Sequence, residues 1–187
     1  PASEVEMEGP FGEFPGYMAQ RDYSFFMDIT CITMRKKPTY LAILSQVPPS
    51  ESSKMRHIGR AAAAKKFLHD NGFDNVIDVN YLECTGSNAL VVIKIKKREA
   101  DDGAKALDLL TTKFIGKIAV AVDEDIDITS LENIIWAIAW RNQPYRDVKI
   151  VDPPLLALDP SLAPPGESRG LATDAGAMPR NTSLMID

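Results

Sequence analysis

Two carboxylates stand five residues apart in the segment EGPFGEFPGY, at Glu8 and Glu13. The glycines and prolines around them constrain the backbone and remove Cβ bulk where a chain must approach a ligand closely. Such a loop can present both acids to one ligand, and two like charges held close together favour one protonated carboxylic acid, which could protonate a carbanion-like centre. A solvated surface turn contains the same residue types, and on spacing alone it is the commoner outcome.

The segments that must position this loop follow it along the chain. Aromatic and β-branched residues from Tyr23 to Met34 and the apolar run from Thr39 to Leu44 predict two neighbouring strands. After a pair of prolines, Ser50 is a candidate N-cap of a helix that ends before Asn71.

The middle of the chain has an α/β pattern. A strand hairpin is predicted at about 76–96, a helix at 101–114 and a buried strand in KIAVAVDE. Thr129 and Glu132 then form a predicted capping box for a third helix. Its apolar stripe at helical spacing consists of Leu131, Ile134, Ile135 and Ile138.

These elements predict the α/β fold class and three parts. Residues 1–45 form a loop and a strand pair, residues 46–152 form an α/β domain, and residues 153–187 form a proline-rich C-terminal tail. The chain opens at Pro1 directly into a motif, which we interpret as a sign that it is part of a longer protein.

The composition limits the kinds of partner and the location that we expect for the protein. A net charge of -5 argues against a nucleic-acid surface, which needs clustered Lys and Arg. We expect no membrane span, because no apolar run approaches the ~20 residues that one requires. Cys31 and Cys84 have neither disulfide-framework nor zinc-site spacing, so we expect a cytoplasmic protein.

The acidic residues from Asp123 to Asp127 resemble a cation-binding loop at first sight. An EF-hand that began at Asp123 would need glycine and glutamate where Ile128 and Ile134 stand. We therefore interpret the segment as a polar loop leading into the third helix, and we assign no metal ligand in this chain.

EGPFGEFPGY is similar to the E-G-P-F-G-E-x-x-G-Y signature of the UbiD family of decarboxylases. The resemblance continues in PTYLAILSQVPPSESSKM, IAVAVDEDIDI, NIIWAIAWRNQPYRD, LALDPS and GLATDA. It covers nearly the whole chain and implies the C-terminal portion of such an enzyme, in which the loop and strand pair complete a cofactor-binding β-barrel domain. One departure is that PASEVEMEG runs directly into PFGEF, so that Glu8 and Gly9 serve two motifs which are usually separate.

The resemblance implies reversible, non-oxidative decarboxylation of an unsaturated or aromatic carboxylic acid with prenylated FMN. Glu13 would donate the proton, and Glu8 would couple to an arginine. That arginine, the ligands of a divalent metal and most phosphate contacts lie upstream in the family. We therefore expect the partner to be a missing N-terminal part, in cis or in trans, and we expect the isolated chain to be inactive.

The resemblance also suggests residues for the substrate pocket, with Phe14 adjoining the loop. Glu51, Ser52 and Arg56 match a segment that lines the substrate side of the flavin, although Ser52 and Glu51 could equally serve helix capping. An apolar wall would be formed by Leu155 and Leu156, which could also be ordinary packing residues.

A different class of function also fits the sequence. The chain could be a non-catalytic assembly or oligomerisation module derived from such an enzyme, with the third helix and the tail as its interface. Under either interpretation we expect a homo-oligomer, because family members are oligomers.

Overall fold

The computed structural model of the protein describes residues 4–18, 21–114, 116–152, 158–162 and 182–187. The strands in these ranges form two separate sheets. The smaller sheet is an antiparallel pair of β1 (Val5–Glu8) and β2 (Asp22–Phe25), with Glu8 opposite Asp22. The loop from residue 9 onward therefore begins directly at Glu8.

The larger sheet has five strands in the order β3-β4-β5-β7-β6. Its parallel centre consists of β4, β5 and β7, and the two edge strands β3 and β6 are antiparallel to their neighbours. The strands are β3 (Val76–Tyr81), β4 (Leu90–Ile95), β5 (Ile118–Asp123), β6 (Val148–Val151) and β7 (Ser183–Ile186). The predicted hairpin is confirmed as the antiparallel pair of β3 and β4.

Helices cover both faces of this sheet. The helices are α1 (Glu51–Asp70), α2 (Asp102–Thr111), α3 (Leu131–Trp140) and the short α4 (Pro144–Asp147). Apolar side chains of α1 and α2 share one buried cluster with the sheet, and those of α3 share the other. Strand β4 is buried on both sides as a result, which explains its continuous apolar run. The predicted α/β fold class is confirmed.

The start of α1 follows the prediction. Ser50 is the N-cap: its hydroxyl accepts a hydrogen bond from the Ser53 amide at 3.3 Å, and the Ser53 hydroxyl accepts one from the Ser50 amide at 2.7 Å. This reciprocal pair satisfies two backbone donors that a helix N-terminus leaves open. The first turn of α1 is thereby fixed in place.

The start of α3 differs from the prediction by one residue. Ser130 is the N-cap and accepts from the Asn133 amide at 3.3 Å, so the predicted capping box of Thr129 and Glu132 is wrong. The Thr129 hydroxyl instead donates to the carboxylate of Asp127 at 2.7 Å. A carboxylate two residues away is a strong local acceptor, and it engages the threonine before the helix begins.

The end of the predicted tail is part of the sheet. Strand β7 lies between β5 and β6, and its side chains are largely buried. The prediction of a tail from 153 to 187 outside the α/β domain is therefore wrong for residues 183–186. Four residues are too few to show a periodicity, and their partner strands are distant in the chain.

The two predicted strands before α1 are only partly present. Strand β2 covers the beginning of the first, and residues 26–44 contain no strand. Their apolar side chains are exposed, including Met27, Ile29, Tyr40 and Leu41. In the described ranges no neighbouring strand pairs with this segment, and strand-forming residues need such a partner for their backbone hydrogen bonds.

Among the helices in the described ranges, none has the length and apolar content that a membrane-spanning helix requires.

Helix α3 buries a narrow stripe of its apolar side chains against the sheet. Ile134 is 1% exposed and packs in the apolar cluster between α3 and the sheet, whereas its neighbour Ile135 is 53% exposed. Ile134→Ala should therefore lower the free energy of unfolding by about 2–5 kcal/mol, because it leaves a cavity. Ile58→Ala, at a residue 64% exposed on α1, is the matched control and should change it by less than about 1 kcal/mol. Urea unfolding of both variants measures this, and equal losses would contradict the packing described here.

Candidate functional site

The loop between β1 and β2 is closed by its own backbone. The Gly16 amide donates to the Glu13 carbonyl at 2.9 Å, and the Glu13 amide donates to the Tyr17 carbonyl at 2.8 Å. Gly16 has a φ of 90°, which glycine adopts without the strain that a side chain would bring. Residues 13–16 thus form a compact turn, and Glu13 is its first residue.

Glu8 and Glu13 lie at the two ends of this loop segment. Glu8 is exposed at the end of β1, and Glu13 is half-buried. Neither carboxylate has a hydrogen bond or an ion pair within the part of the chain that the structure describes. Both acids are therefore available to a ligand, and their sharing of one ligand stays a prediction.

Two side chains hold the backbone of this loop from outside. Arg21 Nε donates to the Gly9 carbonyl at 3.2 Å, and Gln46 Nε2 donates to the Gly12 carbonyl at 3.1 Å. Gln46 comes from the segment that leads into α1, so the loop is tied to the α/β domain. No sequence pattern singled out Gln46, because a lone glutamine carries no signal of a distant partner.

The predicted pocket residues Phe14, Ser52 and Arg56 lie together. The guanidinium carbon of Arg56 is 4.3 Å from the centre of the Phe14 ring. Arg56 also donates to the Ser52 hydroxyl at 3.1 Å and to the Gly86 carbonyl at 3.4 Å. Arg56 therefore contacts the loop, its own helix and the turn that follows β3.

Partial burial of the Arg56 guanidinium carries a desolvation cost. The pKa of Arg56 is lowered from its ordinary value, first by burial and then by the nearby charge of Arg60. The ring face of Phe14 and the two oxygen acceptors offset this desolvation. Specific contacts thus hold the guanidinium on the side where solvent is excluded.

Glu51 and Ser52 have structural partners in the segment before the helix. Glu51 accepts a hydrogen bond from the Leu44 amide at 3.2 Å, and the hydroxyls of Ser52 and Ser45 are 2.8 Å apart. Ser50, not Ser52, is the N-cap. Both side chains therefore stabilise the approach to α1, and their contact with a substrate stays a prediction.

A cavity of about 240 Å³ lies where the loop meets the α/β domain. Its lining includes Phe14, Tyr17, Gly86 and residues 158–160. The predicted wall residues Leu155 and Leu156 precede this last segment but lie outside the described residues. A larger cavity of about 630 Å³ lies beside α2 and β6, and none of the predicted site residues lines it.

A partly buried ion pair anchors residues 158–162 beside the smaller cavity. Lys117 Nζ lies 2.8 Å from the nearer carboxylate oxygen of Asp159, whose side chain is only 5% exposed. Burial alone would raise the pKa of Asp159, but the hydrogen bonds from Lys117 and Ser161 outweigh it and lower the pKa. The LALDPS motif contains this aspartate, although sequence reasoning did not assign it a partner.

The acidic segment after β5 is engaged by an arginine. Arg141 donates to both carboxylate oxygens of Asp125, at 2.7 and 2.6 Å, and lies 3.4 Å from Asp123. This hydrogen bonding lowers the pKa of Asp125. Across the described ranges, no group of three or more His, Cys, Asp or Glu residues could hold a metal ion.

The geometry and the fold agree with one family of proteins. Residues 54–175 match the 3-octaprenyl-4-hydroxybenzoate carboxy-lyase C-terminal domain, and residues 1–48 match the Rift-related domain of the same carboxy-lyase. The chain therefore belongs to the UbiD family, and the resemblance drawn from its motifs is confirmed.

Curated and solved relatives agree with this assignment. The chain is 30% identical to a phenolic acid decarboxylase of Sedimentibacter hydroxybenzoicus, over 96% of this chain and 39% of that protein. It is 26% identical to the UbiD-class enzyme HmfF of Pelotomaculum thermopropionicum in complex with FMN, with a TM-score of 0.77 over 99% of this chain and 38% of that one.

The closed form of the S. hydroxybenzoicus vanillic acid decarboxylase is also similar. It gives a TM-score of 0.78 at 26% identity, over 99% of this chain and 37% of that one. The chain thus spans about two fifths of the length of the relatives that it matches.

The Lys117–Asp159 pair should make stability depend on pH. Because the folded pKa of Asp159 is lowered, its stabilisation is present above the unfolded value of about 3.9 and is lost as the pH falls through the folded value. Asp159→Asn should therefore lower Tm at pH 7. The difference in Tm between this variant and the unmodified protein should become smaller below about pH 4.

The control for this prediction is Asp70→Asn, which removes an exposed pair with Lys66. Exposed pairs contribute little, so its Tm should stay near that of the unmodified protein at every pH. A gap for Asp159→Asn that is as wide at pH 3 as at pH 7 would contradict the role of this carboxylate.

Proposed function

We propose that this chain belongs to an enzyme that decarboxylates an unsaturated or aromatic carboxylic acid, reversibly and without oxidation, using prenylated FMN. The observation that carries the proposal is the Glu8–Glu13 loop, whose two carboxylates have no partner in the described residues. Its support comes from the family match and from relatives named as a phenolic acid decarboxylase and as a UbiD-class enzyme with prFMN.

The residues of this chain fit the acid/base side of a flavin site. When bound, prenylated FMN supplies the electron sink that accommodates the charge left on carbon as carbon dioxide departs. The described residues offer unpaired carboxylates but no cluster that could hold a metal ion. We therefore assign the divalent metal and the coupling arginine to parts of the complete protein outside this chain, in cis or in trans.

Glu13 is the proposed proton donor. The bond between the substrate carbon and its carboxyl group breaks, and the electron pair stays on that carbon. The carboxylic acid of Glu13 then transfers its proton to the same carbon, and solvent restores the proton afterwards. In the reverse direction the Glu13 carboxylate removes this proton before carbon dioxide adds.

Glu8 has a supporting role in this proposal. It lies at the other end of the constrained loop, directly after a paired strand, so its backbone position is set by β1. Its charge would pair with the arginine supplied by the rest of the protein and so complete the charge network of the site. Leu155 and Leu156 are the proposed apolar wall of the substrate pocket, with Phe14, Glu51 and Ser52 as further candidates for its lining.

A second candidate function is assembly. Helix α3 exposes a large apolar surface, which on a monomer usually marks an interaction site. Its exposed members are Leu131, Ile135, Trp136 and Trp140. The occupant that we propose is the same helix of a second copy, so that the complete enzyme is a homo-oligomer. A relative is described as an evolved dimeric form of a UbiD-class enzyme.

Changing Glu13 tests the catalytic proposal in the complete protein. Glu13→Gln keeps the shape of the side chain but removes the transferable proton, so turnover should fall by about 10²- to 10⁴-fold while flavin binding is retained. Glu8→Gln should also lower turnover. The double variant should lose less than the sum of the two free energies, because both act on one proton-transfer unit.

The matched control is Glu6→Gln, an exposed glutamate on the same strand as Glu8. It should leave turnover unchanged. Solvent deuterium incorporation into the product gives a second measurement, and a Glu13→Gln protein that decarboxylates at the normal rate would rule out this donor.

The assembly proposal is tested by sedimentation velocity. Trp140 is 76% exposed on α3, and Trp140→Glu should shift the complete protein toward smaller species, because a buried unpaired charge opposes the contact. Ile58→Glu, at a residue 64% exposed on α1 on the opposite side of the sheet, should leave the distribution unchanged. An unaltered oligomer in Trp140→Glu would place the interface elsewhere.

A further inference from the structure

We infer that Arg56 is a positioning residue: with Gly86 it clamps the Phe14 ring and thereby fixes the adjacent Glu13. This inference rests on the proposed role of Glu13, and it changes the predicted role of Arg56 from substrate contact to support of the loop. The clamp joins three parts of the chain that are distant in sequence: the loop, the first turns of α1 and the turn after β3.

The first side of the clamp is the guanidinium of Arg56. It lies 4.3 Å from the ring centre of Phe14, within the range of a cation–π contact. Two further bonds, to the Ser52 hydroxyl and the Gly86 carbonyl, fix the guanidinium on the α/β domain. Half-burial makes these contacts stronger than the same contacts in water.

The second side of the clamp is the backbone of Gly86, which has no side chain. A Cβ atom added at Gly86 would lie 2.9 and 3.0 Å from two ring carbons of Phe14, closer than such carbons approach each other. Gly86 also has a φ of 70°. The ring is therefore seated where only glycine leaves room, and its position is defined from two directions.

The clamp acts on Glu13 through the chain itself. Phe14 is the next residue, and both belong to the turn closed by the Glu13 and Gly16 amides. A displacement of the ring that rotation about its own χ angles does not absorb therefore moves the turn and the carboxylate with it. A shift of about 1 Å in a reacting group can cost about 10²-fold in rate.

These contacts separate a positioning role from substrate binding. If Arg56 bound the substrate carboxylate, its loss would raise KM and leave kcat largely unchanged. If it positions Glu13, its loss lowers kcat with little change in KM, and it also loosens the turn in the absence of substrate.

The experiment uses the complete protein and two independent variants. Arg56→Met removes the cation while keeping an apolar stem near the ring, and Gly86→Ala pushes on the ring from the other side. Each should lower kcat by about 10- to 100-fold with KM within about two-fold. Each should also speed hydrogen–deuterium exchange in a peptide spanning residues 9–18, measured without substrate. Arg56→Lys, which keeps a cation near the ring, should recover part of both losses.

Each variant has a matched control. Gly72 has a φ of 96° and open space where a Cβ would lie, so Gly72→Ala carries the backbone strain of Gly86→Ala without touching the ring. Lys65 lies on the same helix as Arg56 and donates to the Ile77 carbonyl at 2.6 Å, so Lys65→Met removes a charge and a carbonyl bond away from the loop. Both controls should keep kcat and the exchange rate of the loop.

The outcomes distinguish this inference from the proposed function. Unchanged exchange of residues 9–18 in Arg56→Met and Gly86→Ala would overturn the clamp, as would a raised KM with normal kcat. Faster exchange in a protein whose unmodified form has no decarboxylase activity would instead keep the clamp and overturn the proposed function. Faster exchange in the Gly72→Ala control would show that strain alone loosens the loop, which also overturns the clamp.

Discussion

The contact of Phe14 with Arg56 and Gly86 is the interaction on which the arrangement of the site depends. Within the described residues, the loop that carries Glu8 and Glu13 is continuous with a two-stranded sheet, and a two-stranded sheet is marginally stable alone. Its hold on the larger domain comes from the clamped ring and from Gln46. In our proposal the two acids therefore take their position from contacts with the α/β domain.

The α/β domain can serve as this support because its sheet is covered on both faces. Side chains of β4 and β5 are buried between two helical layers, so the turn that follows β3 and the start of α1 rest on a rigid core. Chemistry is commonly placed on a loop that a rigid scaffold holds. Here Gly86 and Arg56 are the points at which the α/β domain contacts the loop.

Among the exposed apolar surfaces of the described residues, two suit different neighbours. Residues 26–44 carry strand-forming side chains without a partner strand in the described ranges, as expected of a segment that completes the cofactor-binding β-barrel domain implied by the family resemblance. Helix α3 exposes Trp136 and Trp140 on the far side of the sheet, which suits contact with another copy.

Local sequence determined the helix starting at Ser50, the hairpin of β3 and β4 and the buried strand β5, because caps, turns and apolar periodicity act over a few residues. The loop motif likewise predicted Glu8 and Glu13 as site residues, and their catalytic roles remain our proposal. Only the tertiary structure decided that 183–186 enter the sheet, that Ser130 and not Thr129 caps α3, and that Arg56 meets Phe14. The sheet position of 183–186 and the contact of Arg56 with Phe14 depend on partners that are distant in the chain, which no short window of sequence contains. The choice of Ser130 over Thr129 is a choice between two neighbouring residues that are both good N-caps, so local preference does not decide it.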